Sequence, residues 1–526
     1  MILSNLLAHT WAFGALLLCF TIALAFYRSA WHKRALWAIP GPKSYALSSI
    51  PLAVASWKAQ SIHTIHQLHQ KHGPAVRVMP DQISFNSLTA LRTIYGAGSP
   101  FERTSFYSMF DVYGRPNLFT FASGIDHRER KKLVSHMYSN QIVLGNHYGQ
   151  LVKNKVAAYL ALIENEPAVA SEIFSSLHYF SLDAISEFVY GPLHGGTAAL
   201  KGNVKDREMI RDILDPARRR LSWFLVHFPA FTRFLVTRTG VAETVLNRLG
   251  LMPMKKPFTY TGIRKHALEA FHHFNSLSAE EQAKHAESTV IGRLFAVRER
   301  QCLGDMDIAS ECADHLLAGI DTTADSMLFL IWVLSLPQHQ KYQDRLRHEL
   351  SHISVDEQGI PEPKALTQLP LLNAVLKEAL RLYSPLPAFE PRSCAADALI
   401  DGYYIPAGTV VGMSPYCLHR EASVFVDPLR FRPDRWLNGE GTRLIPESDV
   451  KNRYFWAFSS GARMCIGMHL ANAEMLTLTA ALFRKYKTFA RHPHITPGIT
   501  SRYEIFCDET TEQMEEHQCW IDFVKI

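Results

Sequence analysis

A mainly helical fold with small β-sheets (α+β), carried by one large domain behind an N-terminal transmembrane helix, is predicted for this chain by three observations. Two long apolar stretches with helical spacing occupy the second half. Short β-patterned runs are punctuated by turn residues. Composition runs evenly along all 526 residues, without repeat or low-complexity linker. Hydrophobic residues make up 47% of the chain and charged residues 20%, which supplies a sizeable core and excludes a disordered chain. The net charge of +6 is small, and Lys and Arg are dispersed rather than gathered into a phosphate-neutralising stripe, so nucleic acid is not an expected partner. The eight cysteines stand singly, with no C-x-x-C pair, which suits a reducing compartment.

Taken in order, the first element is the anchor. Residues 6–27, LLAHTWAFGALLLCFTIALAFY, are almost wholly apolar and reach about 30 Å as a helix, one hydrocarbon core. The first basic residues, Arg28, Lys33 and Arg34, follow that run, so they stay cytoplasmic and the bulk of the chain faces the cytosol. The rival reading is a cleaved signal peptide ending near Ala23-Leu24-Ala25; against it stand the missing basic n-region and the length of the apolar run. Residues 1–27 are therefore expected to be a membrane anchor, 28–42 a basic and proline-rich hinge stiffened by Pro40 and Pro42, and 43–526 the catalytic domain.

Further along, Ala75 to Val78 reads as a strand. His63, His66, His69 and His72 recur every third residue, but their directions drift by about 60° at each step, so they do not converge on one ion; an exposed helix is expected. An aromatic-dense segment runs from Phe101 to Phe121. The run 309–336 is apolar on nearly all sides and stops before Pro337, which predicts a long buried helix; 371–383 ends before Ser384-Pro385 in the same way. Residues 399–411 carry short strands around the turn-like DGYY and PAGT.

The stretch FSSGARMCIG, residues 458–467, places one cysteine among small residues. Gly461 allows a tight turn and Gly467 a close backbone approach. The following helix, with apolar residues at Leu470, Ala473, Leu476, Ala480 and Phe483, directs its positive end at the sulfur of Cys465. A lone cysteine is more often a small buried hydrophobe. Zinc needs four ligands, and no second Cys or His lies at zinc spacing, whereas a porphyrin brings four nitrogens and needs one axial ligand from the protein.

Phe458, Gly461, Arg463, Cys465 and Gly467 match the F-x-x-G-x-R-x-C-x-G signature, and by it the chain resembles the cytochrome P450 family. Ser459 stands where many members carry glycine. The resemblance implies that Cys465 is the proximal ligand of haem b iron, that Arg463 pairs with a haem propionate and that Phe458 shields the sulfur. Glu378 and Arg381, alone an ordinary pair three residues apart on a helix, precede Pro433-Asp434-Arg435-Trp436 and the cysteine loop in the family's order; the resemblance makes Glu378, Arg381 and Arg435 a buried structural triad. Ala318-Gly319-Ile320-Asp321-Thr322-Thr323 matches the A-G-x-D/E-T-T/S motif. Read alone it is a kinked core helix; by resemblance the helix opens to oxygen, and Asp321 and Thr322 are the catalytic pair that delivers protons.

Less closely, His127 and Lys131 align with the W-x-x-x-R that reaches a propionate, the alternative being a solvated basic helix, and Arg392 resembles a third propionate contact. The aromatic segment resembles the roof of the substrate pocket, the alternative being satellite core packing; Phe110, Phe119, Leu317, Ala318, Leu386, Ala388 and Phe389 are its expected lining. The resemblance implies a monooxygenase that hydroxylates or epoxidises an apolar small molecule, a fungal terpenoid, polyketide or alkaloid intermediate, using O2. No G-x-G-x-x-G loop is present, so electrons from NADPH are expected through a separate NADPH-cytochrome P450 reductase. The expected location is the endoplasmic reticulum membrane, single-pass. Two alternatives share Cys465: a haem-thiolate isomerase or dehydratase, which does without Asp321 and Thr322, and a non-enzymatic membrane haem-binding protein.

Overall fold

Two hydrophobic cores meet in this protein, one built around a sheet and one among helices, and the cysteine loop lies along their seam. The structure, a computed structural model, describes residues 33–210, 262–498 and 517–526, together with 513–515 and a few isolated positions. Apart from Thr21, the predicted anchor at 6–27 lies outside the described residues.

In chain order, the elements that frame the site are α1 (Ser61–His72), β1 (Ala75–Met79), β2 (Gln82–Phe85), β3 (Glu102–Arg103), α2 (Gly124–Val134), α3 (Asn146–Asn165), α4 (Ile173–Tyr190) and α5 (Asp305–Ser335). They are followed by α6 (Pro370–Leu382), β4 (Glu390–Ser393), β5 (Val410–Met413) and α7 (Met468–Lys485). The five strands form one sheet in the order β1-β2-β5-β4-β3, antiparallel except where β2 runs parallel to β5. Three two-stranded sheets complete the β structure, and one of them pairs Ala398–Ile400 with Tyr403–Ile405 across the predicted DGYY turn. The predicted mainly helical fold with small sheets is the observed one.

Pro40 and Pro42 do separate two helical segments, Lys33–Ala38 and Lys43–Leu47. Pro40 O also accepts the Arg77 N–H at 2.8 Å, and Gly41 passes so close to Arg77 O that a Cβ would lie 2.8 Å from it. Residues 40–42 thus belong to the edge of the sheet. The expected exposure of α1 is not found: Ile62, Ile65, His66, Leu68 and His69 are buried. Polar spacing misled because the histidines are used as packing and hydrogen-bonding groups, His69 Nε2 lying 2.8 Å from Ser84 Oγ and His66 standing edge-on to Tyr416.

Helix α5 is the long buried helix, beginning four residues before its predicted start, where the Asp307 carboxylate accepts the Gly304 N–H at 3.1 Å. Among the described residues it is the one helix long and apolar enough to cross a bilayer, and it is mostly buried in the core. Beyond its first turn its incompletely buried residues are Asp314, Leu317, Ala318, Gly319, Asp321 and Thr322. All but Gly319 fall on one face, which therefore lines a cleft inside the protein. The helix runs unbroken through the motif, correcting the expectation that it opens there. Gly319 is instead required by packing: a Cβ would lie 2.5 Å from Ile185 Cγ1 on α4.

Candidate active site

Local geometry in the cysteine loop follows from two left-handed residues. Ser459 has φ 60° and Gly461 φ 66°, and a Cβ on Gly461 would collide with Tyr95 O and the Gly96 backbone. After a short 3-10 turn, Gly461–Arg463, the Cys465 N–H donates to Phe458 O at 2.9 Å and closes the loop. Gly467 then caps α7, whose buried face includes Leu470, Ala473, Leu476, Ala480 and Phe483. Trp456 sits in the sheet core while Phe458 packs against the helical core, so the loop is clamped from both sides.

Cys465 is enclosed by protein yet presents accessible surface, so its sulfur faces the cleft. Burial pushes its thiol up; the Gly467 and Met468 amides and the Lys131 ammonium act the other way. The helix end acts in favour of the thiolate, while burial, the larger effect, acts against it. Lys131 Nζ donates to Ala462 O at 2.9 Å and Met464 O at 3.2 Å, two carbonyls of this same loop. Its charge is thereby placed beside the cysteine loop, where it acts on the sulfur of Cys465.

Behind the loop, Glu378 and Arg381 are fully buried and Arg435 nearly so. Glu378 accepts from Arg381 Nε (2.8 Å) and a second guanidinium nitrogen (2.9 Å), Arg435 Nε (2.9 Å), the Arg432 amide (2.9 Å) and Trp436 Nε1 (2.9 Å). Arg381 completes its donors on His419 O and Pro428 O, both at 2.8 Å. His419 links this network to the loop: Nδ1 lies 2.9 Å from Arg381 O, and Nε2 accepts the Trp456 N–H at 2.8 Å. Burial, with Arg381 and Arg420 nearby, pushes its imidazole down to about 3, so it is neutral, and the Nδ1–H tautomer satisfies both bonds.

On the other side of the cleft, α5 presents Ala318, Asp321 and Thr322, with Thr322 Oγ1 donating back to Ala318 O at 2.7 Å. The aromatic segment touches α5 where Ser310 Oγ donates to Arg115 O at 2.8 Å; within it Phe119 stands edge-on to Phe110 (5.2 Å) and to Tyr107 (5.4 Å), and Phe110 and Phe119 keep accessible surface. Leu317 is partly accessible. Leu386 is 48% exposed, whereas Ala388 and Phe389 pack against the helical core, the Phe389 ring lying over Gly412.

The cytochrome P450 family model matches residues 40–500. The chain belongs to the cytochrome P450 family. It is 30% identical over 450 residues to cytochrome P450 monooxygenase stcB of Emericella nidulans, covering 85% of this chain and 81% of that one. With cytochrome P450 monooxygenase aflV of Aspergillus parasiticus the identity is 28% over 466 residues, 87% and 86% of the two chains. FGM1 of Gibberella zeae, also a cytochrome P450 monooxygenase, is 24% identical over 465 residues, 86% of each. With its family, the protein is a haem-thiolate monooxygenase.

The cleft of this P450 fits a haem by its charges as well as by its sulfur. Arg103, His127, Arg392 and Arg463 crowd one rim. Burial pushes Arg463 down to about 9, and repulsion from Arg103 and Arg392 adds to it; Arg103 falls to about 10 for the same two reasons, burial and Arg392. Burial, then Arg463, Arg103, Lys131 and Arg392, push His127 down to about 3. Among the described residues Glu390 is the one ion-pair partner of this rim, 3.9 Å from Arg392. The excess of buried cations calls for anions, and a haem carries two carboxylates.

Arg103 was missed by sequence reasoning. It lies on a two-residue strand with no periodicity, and only the β3–β4 register sets it opposite Arg392, where its guanidinium covers the rings of Tyr107 and Phe119 at 4.6 Å each and donates to Phe119 O. His419 was missed too, a lone histidine having no signal of its own, and Trp436 was named in its motif without its bond to Glu378. Arg463 donates to Phe121 O (2.6 Å) and Ala122 O (2.7 Å), tying the cysteine loop to the aromatic segment.

Proposed function

We propose that this protein is a membrane-anchored P450 monooxygenase that inserts one oxygen atom from O2 into a C–H or C=C bond of a largely apolar small molecule, an intermediate of fungal secondary metabolism of terpenoid, polyketide or alkaloid type. The observation that supports this reading is an accessible, amide-cradled Cys465 in the same fold as a buried helix, α5, that leaves Ala318, Asp321 and Thr322 accessible along one face. Cys465 would hold the haem iron through its thiolate, with Phe458 beside the loop. Arg463, Arg392, His127 and Arg103 would hold the propionates. Haem, once bound, supplies the binding and reductive activation of dioxygen.

The chain's own part is protons and exclusion of water. The Asp321 carboxyl passes protons inward from bulk water, and the Thr322 hydroxyl, held by Ala318 O, passes them on into the cleft. Phe110, Phe119, Leu317 and Ala318 line the substrate chamber and keep it apolar. Residues 6–27 support anchoring in the endoplasmic reticulum membrane with the body cytosolic, and NADPH-cytochrome P450 reductase delivers the electrons.

The test is a reconstitution with NADPH, reductase and metabolite extract from a producing fungus. Thr322→Ala is expected to keep the carbon monoxide spectrum and NADPH consumption but divert most reducing equivalents to hydrogen peroxide. Full coupled turnover in that variant would support the isomerase or dehydratase reading instead.

A further inference from the structure

Three histidines that the oxygen chemistry does not use come together beyond the end of α4. His194 follows Tyr190, the last residue of α4, His273 lies on the helix Gly262–Asn275, and His285 comes just after the helix Ala279–Lys284. The backbone around the first and last of them is fixed. Gly195 packs so closely that a Cβ would lie 2.6 Å from Ala270 Cβ, and Gly195 O is 2.8 Å from His266 Nε2. His285 O accepts from the Thr289 amide at 3.1 Å and the Thr289 hydroxyl at 3.2 Å, and a Cβ on Gly292 would collide with it. Nδ1 of His194 is buried, so Nε2 is the nitrogen that this ring offers, and it stands 3.1 Å from Nε2 of His285. The two ring centroids are 4.7 Å apart and the planes 78° apart. Imidazoles joined head-on by a hydrogen bond of that length would hold their centroids about 5.4 Å apart. Imidazoles sharing one zinc ion at about 2.05 Å from each nitrogen would hold them about 4.8 Å apart. The two lone pairs therefore converge on a common point. The His273 ring stands beside that of His194, centroids 5.4 Å apart, and its exposed side chain can turn toward the same point. No three-ligand group is already gathered among the described residues, so the third position needs that turn. Burial, then His285 and His273, hold the His194 imidazole below its usual range, with Glu281 pulling the other way; the neutral imidazole is the form that binds metal.

We propose that His194 and His285, joined by His273, form a binding site for a divalent transition ion, zinc by its preference for nitrogen ligands in a four-coordinate shell. The ion clips the end of α4, the helix whose Ile185 packs on Gly319 of α5, to the segments carrying His273 and His285. The test takes the full-length haem-loaded protein, stripped with chelator, and adds Zn2+ or Mg2+, reading bound metal by equilibrium dialysis and the midpoint of thermal unfolding. Wild type is expected to take up one zinc ion per chain at micromolar concentration and to unfold a few degrees higher. Magnesium, which prefers oxygen ligands, is expected to do neither. His194→Gln and His285→Gln are each expected to weaken zinc binding by about tenfold or more and to abolish the thermal shift, and His273→Gln to weaken binding less. All three keep the haem spectrum and a midpoint in chelator close to that of wild type, which separates loss of a ligand from loss of fold. His272→Gln, exposed on the same helix as His273, is the control and is expected to change nothing. The chain has 25 histidines, so zinc held equally by the His194→Gln and His285→Gln variants, or lost equally in His272→Gln, would mean an adventitious ion only and would overturn the proposal. A chain that binds no haem but keeps this zinc response would leave the site standing, so the two readings fail separately.

Discussion

The two sides of the cysteine loop solve the problem of buried charge in opposite ways. Behind it, Glu378 receives five hydrogen bonds and the arginines spend their remaining donors on carbonyls, so the network is complete within the protein. In front of it, Arg103, Arg392, Arg463 and His127 repel one another, with Glu390 as their ion-pair partner at 3.9 Å. A satisfied network fixes geometry; an unsatisfied one creates a demand that a ligand meets. The first shapes the loop that offers the sulfur, and the second prepares the rim for a dianionic cofactor.

The comparison is broken most completely at its meeting point. Cys465→Ser is expected to keep the fold by circular dichroism but lose both the red-shifted Soret band of the reduced carbon monoxide complex and all turnover. Next comes the rear network: Glu378→Ala strands Arg381 and Arg435 among buried carbonyls and is expected to cost about 3–5 kcal/mol, read as a lower urea midpoint and a poor yield of haem-loaded protein. A similar loss from an exposed control such as Glu129→Ala would show that burial is not the cause.

Packing across the cleft's outer wall comes third. Gly319→Ala drives a methyl into Ile185, an expected loss of about 1–3 kcal/mol, recovered in part by adding Ile185→Ala; no recovery would place the strain elsewhere.

The front cluster is sharpened by pH. His127 titrates near 3 in the folded protein and near 6.5 when unfolded, so the unfolded chain takes up the proton first. Its contribution to the stability of the haem-free protein is present above pH 6.5 and falls as pH drops toward 3, by up to about 1.4 kcal/mol per unit. Urea unfolding between pH 7 and 5 is expected to show this slope in wild type, less of it in His127→Gln, and less of it after haem loading, because the propionates raise the histidine's pKa. An unchanged slope on loading would argue against anions at this rim. The smallest effect belongs to the loop itself: Ser459→Gly relieves a left-handed serine and is expected to stabilise by about 1 kcal/mol or less, measured by thermal unfolding.

Much of this was legible beforehand where the signal is local or carried by a fixed motif. The end of α5 before Pro337, the glycine turn before Cys465 and the apolar face of α7 all follow from neighbours within a few residues. The Lys131 bonds to the loop carbonyls carry no local signal, because they depend on how α2 docks against a segment more than three hundred positions away. The histidines of α1 looked solvated and are packed, since burial of a polar side chain depends on Ser84 and Tyr416 waiting across the contact.

By itself, then, the sequence determined the helices, the cysteine loop and the order of its motifs, since dihedral preference and 3.6-residue periodicity are properties of short stretches. Only the tertiary structure decided that Arg103 joins Arg392 and that His419 couples the Glu378 network to Trp456. Those facts depend on strand register and helix docking, which bring charges from distant parts of the chain into one desolvated space where Coulomb and hydrogen-bond terms act at full strength.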